Sequence, residues 1–576
     1  MEKYNFKTYC ELFEKIKLQN NPKFLNYIKN NRYKNISTEE FIEKVEYLVY
    51  ALKEYKIQKN HNIGIYLESS PSWLIIDFAL QIIGANSVPI FKDISNTNLN
   101  HQINDANIQY IFIDNELSTK IKSNLTIFTI EKKKDCNNIY LNDLYKQGKK
   151  LSKLNKYDIN ALIKQVKESD TFSIIYTSGS TSYPKGVELT HKNIISQLHN
   201  INKEFNISNK DKALSLLPLA HIFQRTVMSF YLSHGISIYF LNDLTKIGPI
   251  LKDIKPNIIT LVPRLLEKIF KKIELNISEK NYFTKFISTL ALKRALRSDI
   301  NKNHVVNKLY NKLIYSKLRD IFGGELKILI SGGSNLNKDI YNFFINIGIN
   351  LYQGYGLTET SPVICVNTPR FNKVNTCGKV LNNIKVKLEK DGELLVKGPN
   401  IMKGYFNNKK LTKTILHEDG WLYTGDLAKI DNEGFIQIIG RKKELYKTST
   451  GKYVNPIFIE QELTKSYLID YALIIANNRK YVTALIFIDN TIYKNYIKKQ
   501  NINITIEQFI KKDIIENHIK NHIKNININL NKSENIIKYV IITKQPTIEN
   551  EELTSSMKIR RNIVENRYKI QINKMY

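Results

Sequence analysis

Four charged side chains in this 576-residue sequence sit in settings suited to phosphate and carboxylate chemistry: Lys185, Glu359, Asp426 and Lys558. Lys185 closes the run Y-T-S-G-S-T-S-Y-P-K, which begins at Tyr176. Thr177, Ser178, Gly179, Ser180 and Thr181 present backbone N–H groups and hydroxyls to phosphate oxygens, and the lysine adds a positive charge. An apolar strand over Phe172 to Tyr176 leads into this loop. A helix with Ile194, Ile195, Leu198, Ile201 and Phe205 on one face is expected to follow, with Thr190 as its N-cap. The loop is not a Walker A motif, because Pro184-Lys185-Gly186-Val187 has no Ser or Thr after the lysine. The competing reading is an inert Ser/Thr-rich turn.

Glu359 belongs to Y-Q-G-Y-G-L-T-E-T, residues 352–360. The glycines let backbone approach a flat ligand, Tyr355 can stack on a base, and Thr358 can bond a phosphate. Glu359 suits Mg²⁺, which takes one or two carboxylates plus phosphate oxygens. A glycine-rich turn with a solvated glutamate is the alternative. Asp426 follows Thr424-Gly425; an ionised Asp only accepts hydrogen bonds, which fits two sugar hydroxyls or the cap of a turn. Gly440-Arg441-Lys442-Lys443-Glu444 by itself reads as a solvated charge run. Lys558, in L-T-S-S-M-K-I-R-R, would by default be a surface residue. His221, in L-P-L-A-H-I-F-Q-R, reads as a core histidine or as a pocket residue.

These side chains need a scaffold, and alternating strand-like and helix-like segments over 60–370 imply α/β layers. Ile63 to Leu67 reads as a strand, Trp73 to Phe91 as a helix leading into a buried strand, and Leu326 to Ile330 as a strand before Ser331-Gly332-Gly333-Ser334. A helix over Asn337 to Ile347 should stop at Gly348. From about residue 375 short strands and turns take over: Glu393 to Lys397, then a hairpin from Leu427 to Ile439 turning at Asp431-Asn432-Glu433-Gly434. Residues 268–315 form a lysine-rich insertion with Phe270, Tyr282, Phe283 and Phe286. It fits either an amphipathic helix on a membrane surface or an ordinary surface helix pair.

Length and 42% hydrophobic content require more than one core. Cys10, Cys136, Cys365 and Cys377 have neither metal-ligand nor disulfide-framework spacing, so a reducing, cytoplasmic setting is expected. The N-terminal residues do not resemble a signal peptide, and no transmembrane segment is expected. The net charge of +32 fits AT-rich coding bias, attraction to anionic lipid or polyanionic substrates, or nucleic acid binding. The lysines are spread along the chain without a nucleic-acid motif, so no nucleic-acid partner is expected. Oligomeric state is unreadable.

Taken in order, these stretches resemble the motifs of acyl-adenylate-forming (AMP-binding) enzymes, a superfamily of acyl-CoA synthetases, luciferases and peptide-synthetase adenylation domains. This chain has Ser182 where the family usually has Gly, and Ser555 where it commonly has Pro. The resemblance implies a large N-terminal domain, residues 1–441, of layered α/β subdomains plus a small β-barrel-like part. A small, mobile α+β C-terminal domain, residues 442–576, would follow, hinged at Lys442. It implies that ATP is held by the Thr177–Thr181 loop, Gly332, Gly333, Gln353, Gly354, Tyr355, Thr358, Asp426 (on the ribose), Arg441, Lys443 and Lys447. Mg²⁺ would sit at Glu359 and Thr177. Lys558 would be the adenylation lysine, acting with Lys185, Glu359, Thr358 and His221. Lys447 and Gly451-Lys452-Tyr453 would lie near coenzyme A. L-P-L-A-H-I-F-Q-R and Val262-Pro263-Arg264-Leu265-Leu266-Glu267-Lys268 are similar to long-chain acyl-CoA synthetase signatures. The implied reaction is ATP-dependent conversion of a long-chain fatty acid to its acyl-adenylate and then to acyl-CoA, with peripheral membrane contact open. An acyl–acyl-carrier-protein ligase and a non-catalytic lipid- or polyanion-binding homologue are the alternatives. A peptide-synthetase module is disfavoured, because the chain ends 18 residues after Lys558.

Overall fold

The computed structural model describes residues 6–121, 125–131, 138–177, 183–297, 305–449, 452–554 and 557–576. Two large sheets carry the first two-thirds of the chain. The first has eight strands, in the order Gly404–Tyr405, Lys185–Thr190, Thr171–Thr177, Asn86–Pro89, Asn62–Tyr66, Tyr110–Ile113, Thr126–Thr129 and Ile139–Tyr140. The second has nine, in the order Lys379–Val380, Val363–Val366, Leu351–Gly356, Ile328–Ser331, Ile258–Leu261, Lys212–Ser215, Ser237–Phe240, Leu25–Lys29 and Arg32–Ile36. The central strands are parallel and fully buried, which is why they read as short apolar runs rather than alternating ones.

Helices fill the space between the layers. Pro71–Ile83 is buried on nearly all sides, starts with a Ser70 cap and Pro71, and stops at Gly84 in the left-handed conformation. The helix expected after Asn337 spans Lys338–Asn346 and is capped by the Asn337 side chain. The helix behind the hydroxyl-rich loop is His191–Glu204, with Thr190 and Asn193 forming a reciprocal cap. One correction concerns what precedes that helix. Lys185–Thr190 is itself a strand, antiparallel to Thr171–Thr177. The strand Lys185–Thr190 thus stands between the hydroxyl-rich stretch and the helix that Thr190 caps. The apolar alternation of Val187 and Leu189 was hidden inside a motif read as loop.

The part expected to be barrel-like is an open four-stranded antiparallel sheet: Lys385–Leu388, Glu393–Lys397, Leu422–Ile430 and Ile436–Arg441. Beyond it, Ile469–Ile475, Val482–Ile488 and Ile536–Ile542 form a three-stranded sheet. Helices Pro456–Leu463 and Asp513–Ile528 cover one side of it, around Ile459, Leu463, Ile519 and Ile486. Among the described residues, Cys10, Cys365 and Cys377 are buried free thiols; Cys136 lies outside the described residues. No described helix is long and apolar enough to cross a membrane.

A buried ion pair ties the two large layers together. Arg225, on helix Ile222–His234, makes a two-pronged contact with Asp77 of helix Pro71–Ile83, at 3.0 and 2.5 Å. Its remaining donors reach Ser173 and Ser87 on the eight-stranded sheet, each at 2.8 Å. The guanidinium lies 3.9 Å from the Phe172 ring centroid. Arg225 is therefore a structural residue of the core. Burial raises the Asp77 pKa while Arg225 lowers it. Asp77→Ala would strand a desolvated guanidinium, and a loss of about 3–5 kcal/mol in unfolding free energy is expected in urea titrations. Replacing both partners by apolar residues of similar volume should cost clearly less; an equal or larger loss would contradict the assignment.

Candidate active site

The two large sheets and the four-stranded sheet border a cavity of about 2240 Å³. Thr177, Lys185, His221, Gly332, Gly333, Gln353, Gly354, Tyr355, Thr358, Glu359, Asp426, Arg441, Lys443 and Lys558 all line it. Ser178, Gly179, Ser180, Thr181, Ser182, Gly451, Ser555 and Ser556 lie outside the described residues. Lys447 is not part of the lining; its ammonium sits 5.9 Å from the Tyr453 ring centroid. Ile201, Phe205, Val227, Phe230 and Val366 give the same cavity apolar lining.

Each polar group is positioned by a strand end or a tight turn. Thr177 faces Lys185 across the mouth of the hairpin. Gly333 has φ +89, a conformation costly for any residue with a Cβ. At Gly356 a Cβ would fall 1.7 Å from the Pro362 carbonyl, so only glycine lets these backbones pass. The single turn Thr358–Thr360 then presents Glu359. Asp426 and Arg441 are directly opposed in the Leu422–Ile430/Ile436–Arg441 hairpin. Arg441 Nε lies 2.8 Å from Asp426 Oδ1, and the Tyr355 hydroxyl donates to Asp426 Oδ2 at 2.5 Å. Burial raises the Asp426 pKa, and Arg441 opposes that rise.

Sequence reasoning overlooked Tyr405. Its hydroxyl donates to Glu359 Oε1 at 2.8 Å, and Lys185 Nζ sits 5.7 Å from its ring centroid. Burial and the Glu359 charge push its pKa up. Tyr405 arrives through a two-residue strand, Gly404–Tyr405, paired with Val187 and Glu188. A lone Gly-Tyr pair carries no signal without that pairing.

Lys558 sits on a narrow loop. Thr554 N–H donates to the Lys558 carbonyl at 2.8 Å, and Lys558 N–H donates to Thr554 Oγ1 at 3.1 Å. Arg561 anchors the loop by a two-pronged contact with Glu460 at 2.7 and 2.5 Å. From there Lys558 Nζ donates to the Gly333 carbonyl at 2.7 Å. The side chain is wetted by the cavity but enclosed by protein around it. Desolvation, then the Arg441 charge, lowers its pKa. Further contacts hold residues 444–576 against the large sheets. Arg264 pairs with Asp470 at 2.7 Å and lies 3.6 Å from the Tyr471 ring centroid. Lys271 donates to the carbonyls of Ser466 and Ile469 at 3.0 and 3.1 Å, and Lys465 meets Asp339 at 3.1 Å.

Residues 15–406 match the family described as AMP-binding enzyme, and residues 444–576 match the AMP-binding enzyme C-terminal domain. The chain is similar to a long-chain-fatty-acid–CoA ligase, FadD15, of Mycobacterium bovis, with 25% identity covering 94% of this chain and 92% of the relative. It is also similar to long-chain-fatty-acid–CoA ligase 5 of Rattus norvegicus, at 28% identity over 99% of this chain and 88% of the relative. In structure it resembles an o-succinylbenzoate coenzyme A synthetase of Bacillus subtilis in complex with ATP and magnesium ion. The TM-score there is 0.66 and the identity 18%, covering 96% of this chain and 98% of that one.

His221 caps helix Ile222–His234 by accepting the Phe223 N–H at Nδ1, 3.2 Å away, so in its neutral form Nε2 carries the proton. Burial, then the Lys558 ammonium, lowers its pKa from 6.5 to about 4. The fold thus favours the neutral ring. Its contribution to stability is complete above pH 6.5 and is lost as the pH falls through the window down to about 4. Lys558→Ala should raise the His221 pKa while leaving it below 6.5, because burial remains; a histidine NMR titration reads this directly. An unchanged value would place the ammonium elsewhere in solution.

Proposed function

Because the chain belongs to the AMP-binding enzyme family, we propose that it is a long-chain fatty acid–CoA ligase that activates its substrate with ATP. The full-length match to relatives named long-chain-fatty-acid–CoA ligases supports this reading. The observation that carries it is the meeting, in one cavity, of cationic, carboxylate and apolar lining. The charged lining suits a triphosphate and the apolar lining suits a hydrocarbon chain.

In this reading Asp426 accepts the ribose hydroxyls, with Arg441 and Tyr355 holding the carboxylate in place. Gly332, Gly333, Gln353 and Gly354 provide backbone and amide contacts to the base. Lys185 and the hydroxyl-rich stretch that precedes it in sequence hold the terminal phosphates. The donor set fits Mg²⁺: Glu359 provides one carboxylate and Thr177 a hydroxyl, and that ion completes its shell with phosphate oxygens and water. When bound, it supplies charge neutralisation for the phosphates. The fatty carboxylate attacks the α-phosphorus, the bond to the bridging oxygen breaks, and pyrophosphate leaves. Lys558 lies where negative charge gathers on the α-phosphate and the incoming carboxylate, and its positive charge stabilises the transition state. Neutral His221, beside Lys558, provides a hydrogen-bond donor at Nε2 to the carboxyl group.

The thiol of coenzyme A would then attack the acyl carbon and displace AMP. We assign residues 1–441 to a large domain and 442–576 to a small domain that withdraws Lys558 between the two steps, turning about Lys442. Lys442 Nζ lies 2.5 Å from Asp391 and 2.7 Å from Glu393, which fixes the pivot to the four-stranded sheet.

Two substitutions test these roles. Lys558→Ala should lower fatty-acid-dependent ATP–pyrophosphate exchange at least about 100-fold. Thioester formation from supplied acyl-adenylate should survive within a few-fold; loss of both half-reactions in a folded variant would remove Lys558 from adenylation. Asp426→Ala should raise the KM for ATP at least about tenfold, the loss of one to two charge-assisted hydrogen bonds. An unchanged KM would exclude it from the ribose. Exchange measured across a panel of fatty acids tests the overall reading, which fails if long-chain acids do not support exchange.

A further inference from the structure

The helical insertion presents an apolar stripe that the proposed reaction does not use. Helix Pro263–Ser278 starts at the cavity wall, with Arg264 and Leu265 lining it, and leads to helix Tyr282–Ala295. On that second helix Ser288, Ala291, Leu292 and Ala295 face the core. The opposite face carries Tyr282, Phe283, Phe286 and Leu290, with 88, 72, 56 and 41% of their surface exposed. At 3.6 residues per turn these four lie within an arc of about 100°. Val305, Leu309 and Leu313, spaced by four, extend the exposed apolar surface along the next helical segment. The segments are joined by hydrogen bonds from Arg294 to Asn307 and from Tyr315 to the Ala291 carbonyl. Phe270, by contrast, is buried against Phe343, with centroids 4.9 Å apart, and belongs to the core.

Charge identifies what covers this stripe. Residues 280–319 contain ten lysines and arginines and one acid, Asp299. Glu279, at the edge, already pairs with Lys499 at 3.2 Å. A second copy docking through the same patch would set these cations against themselves, whereas an anionic lipid surface complements them. Aromatic rings flanked by lysines are the composition that settles at the headgroup level of a bilayer. We propose that the face of Tyr282–Ala295, with Val305, Leu309 and Leu313, docks the protein on anionic membranes, lying in the interface rather than spanning it. The helix that leads from this face to the cavity wall would set the cavity beside the source of an amphiphilic substrate.

The test uses the full-length protein without any substrate, so its outcome is independent of the ligase reading. Co-sedimentation should show binding to phosphatidylcholine–phosphatidylglycerol vesicles, weak binding to phosphatidylcholine alone, and release at high salt. Phe283→Ser combined with Phe286→Ser, and separately Lys285→Glu combined with Lys293→Glu, should each weaken partitioning at least about tenfold. Thermal melting should stay unchanged, because none of these side chains is in the core. Wild-type binding by both variants would overturn the proposal. So would equal binding to both vesicle types, or concentration-dependent dimerisation in sedimentation velocity that the Phe→Ser pair abolishes.

Discussion

The contact between Lys558 and the Gly333 carbonyl, 2.7 Å long and spanning 225 residues of sequence, orders everything around it. It places an ammonium group against a neutral acceptor, in a cavity that also holds Arg441, Lys443 and Lys185. Like charges at such a site disfavour one another until an anion arrives. Desolvation first, and then the Arg441 charge, lowers the Lys558 pKa. The Glu444 and Asp426 charges oppose that lowering, while Arg441 and Tyr355 hold the two Asp426 oxygens. The cavity thus holds cations and carboxylates side by side, Lys185, Arg441 and Lys558 with Glu359 and Asp426.

Residues 444–576 are held against the rest of the chain largely by contacts near the surface. Arg264–Asp470 and Lys465–Asp339 are partly solvated pairs, and contacts of this kind contribute about 0–1 kcal/mol each. Lys271 and Glu274 gain nothing from burial alone: it lowers the lysine pKa and lifts that of Glu274 to about 7. The attachment thus combines partly solvated ion pairs with a desolvation cost at Lys271. The Arg225–Asp77 pair is of the opposite kind. It is fully buried, satisfied by two serines and sandwiched by aromatic rings, and it joins layers that must stay fixed.

One consequence is a division of labour among arginines and lysines that composition alone cannot reveal. The net charge of +32 includes Arg225 in the core, Arg561 orienting a loop, Lys558 in the cavity, and a surface group around the exposed helix of the insertion. Arg225 and Arg264 both lie in stretches similar to long-chain acyl-CoA synthetase signatures. Only Arg264 reaches the cavity, and it is also paired across to Asp470.

Sequence alone determined the layered α/β plan, the cap at Thr190, the helix stop at Gly348, the hairpin after Asp426, and the candidate chemistry of Lys185, Glu359, Asp426 and Lys558. Periodicity, capping and residue-type chemistry are local properties, readable within a dozen residues. Tertiary structure alone decided that Lys185 begins a strand, that the four-stranded sheet stays open, that Tyr405 holds Glu359, and that Arg225 belongs to the core. It also decided that Phe270 is buried while Phe283 and Phe286 are exposed, although all three lie in one lysine-rich stretch. Each of these outcomes depends on which distant segment supplies the neighbour, a strand partner or an opposing charge. Such long-range pairing is set by the packing of whole layers and leaves no mark on the residues immediately alongside.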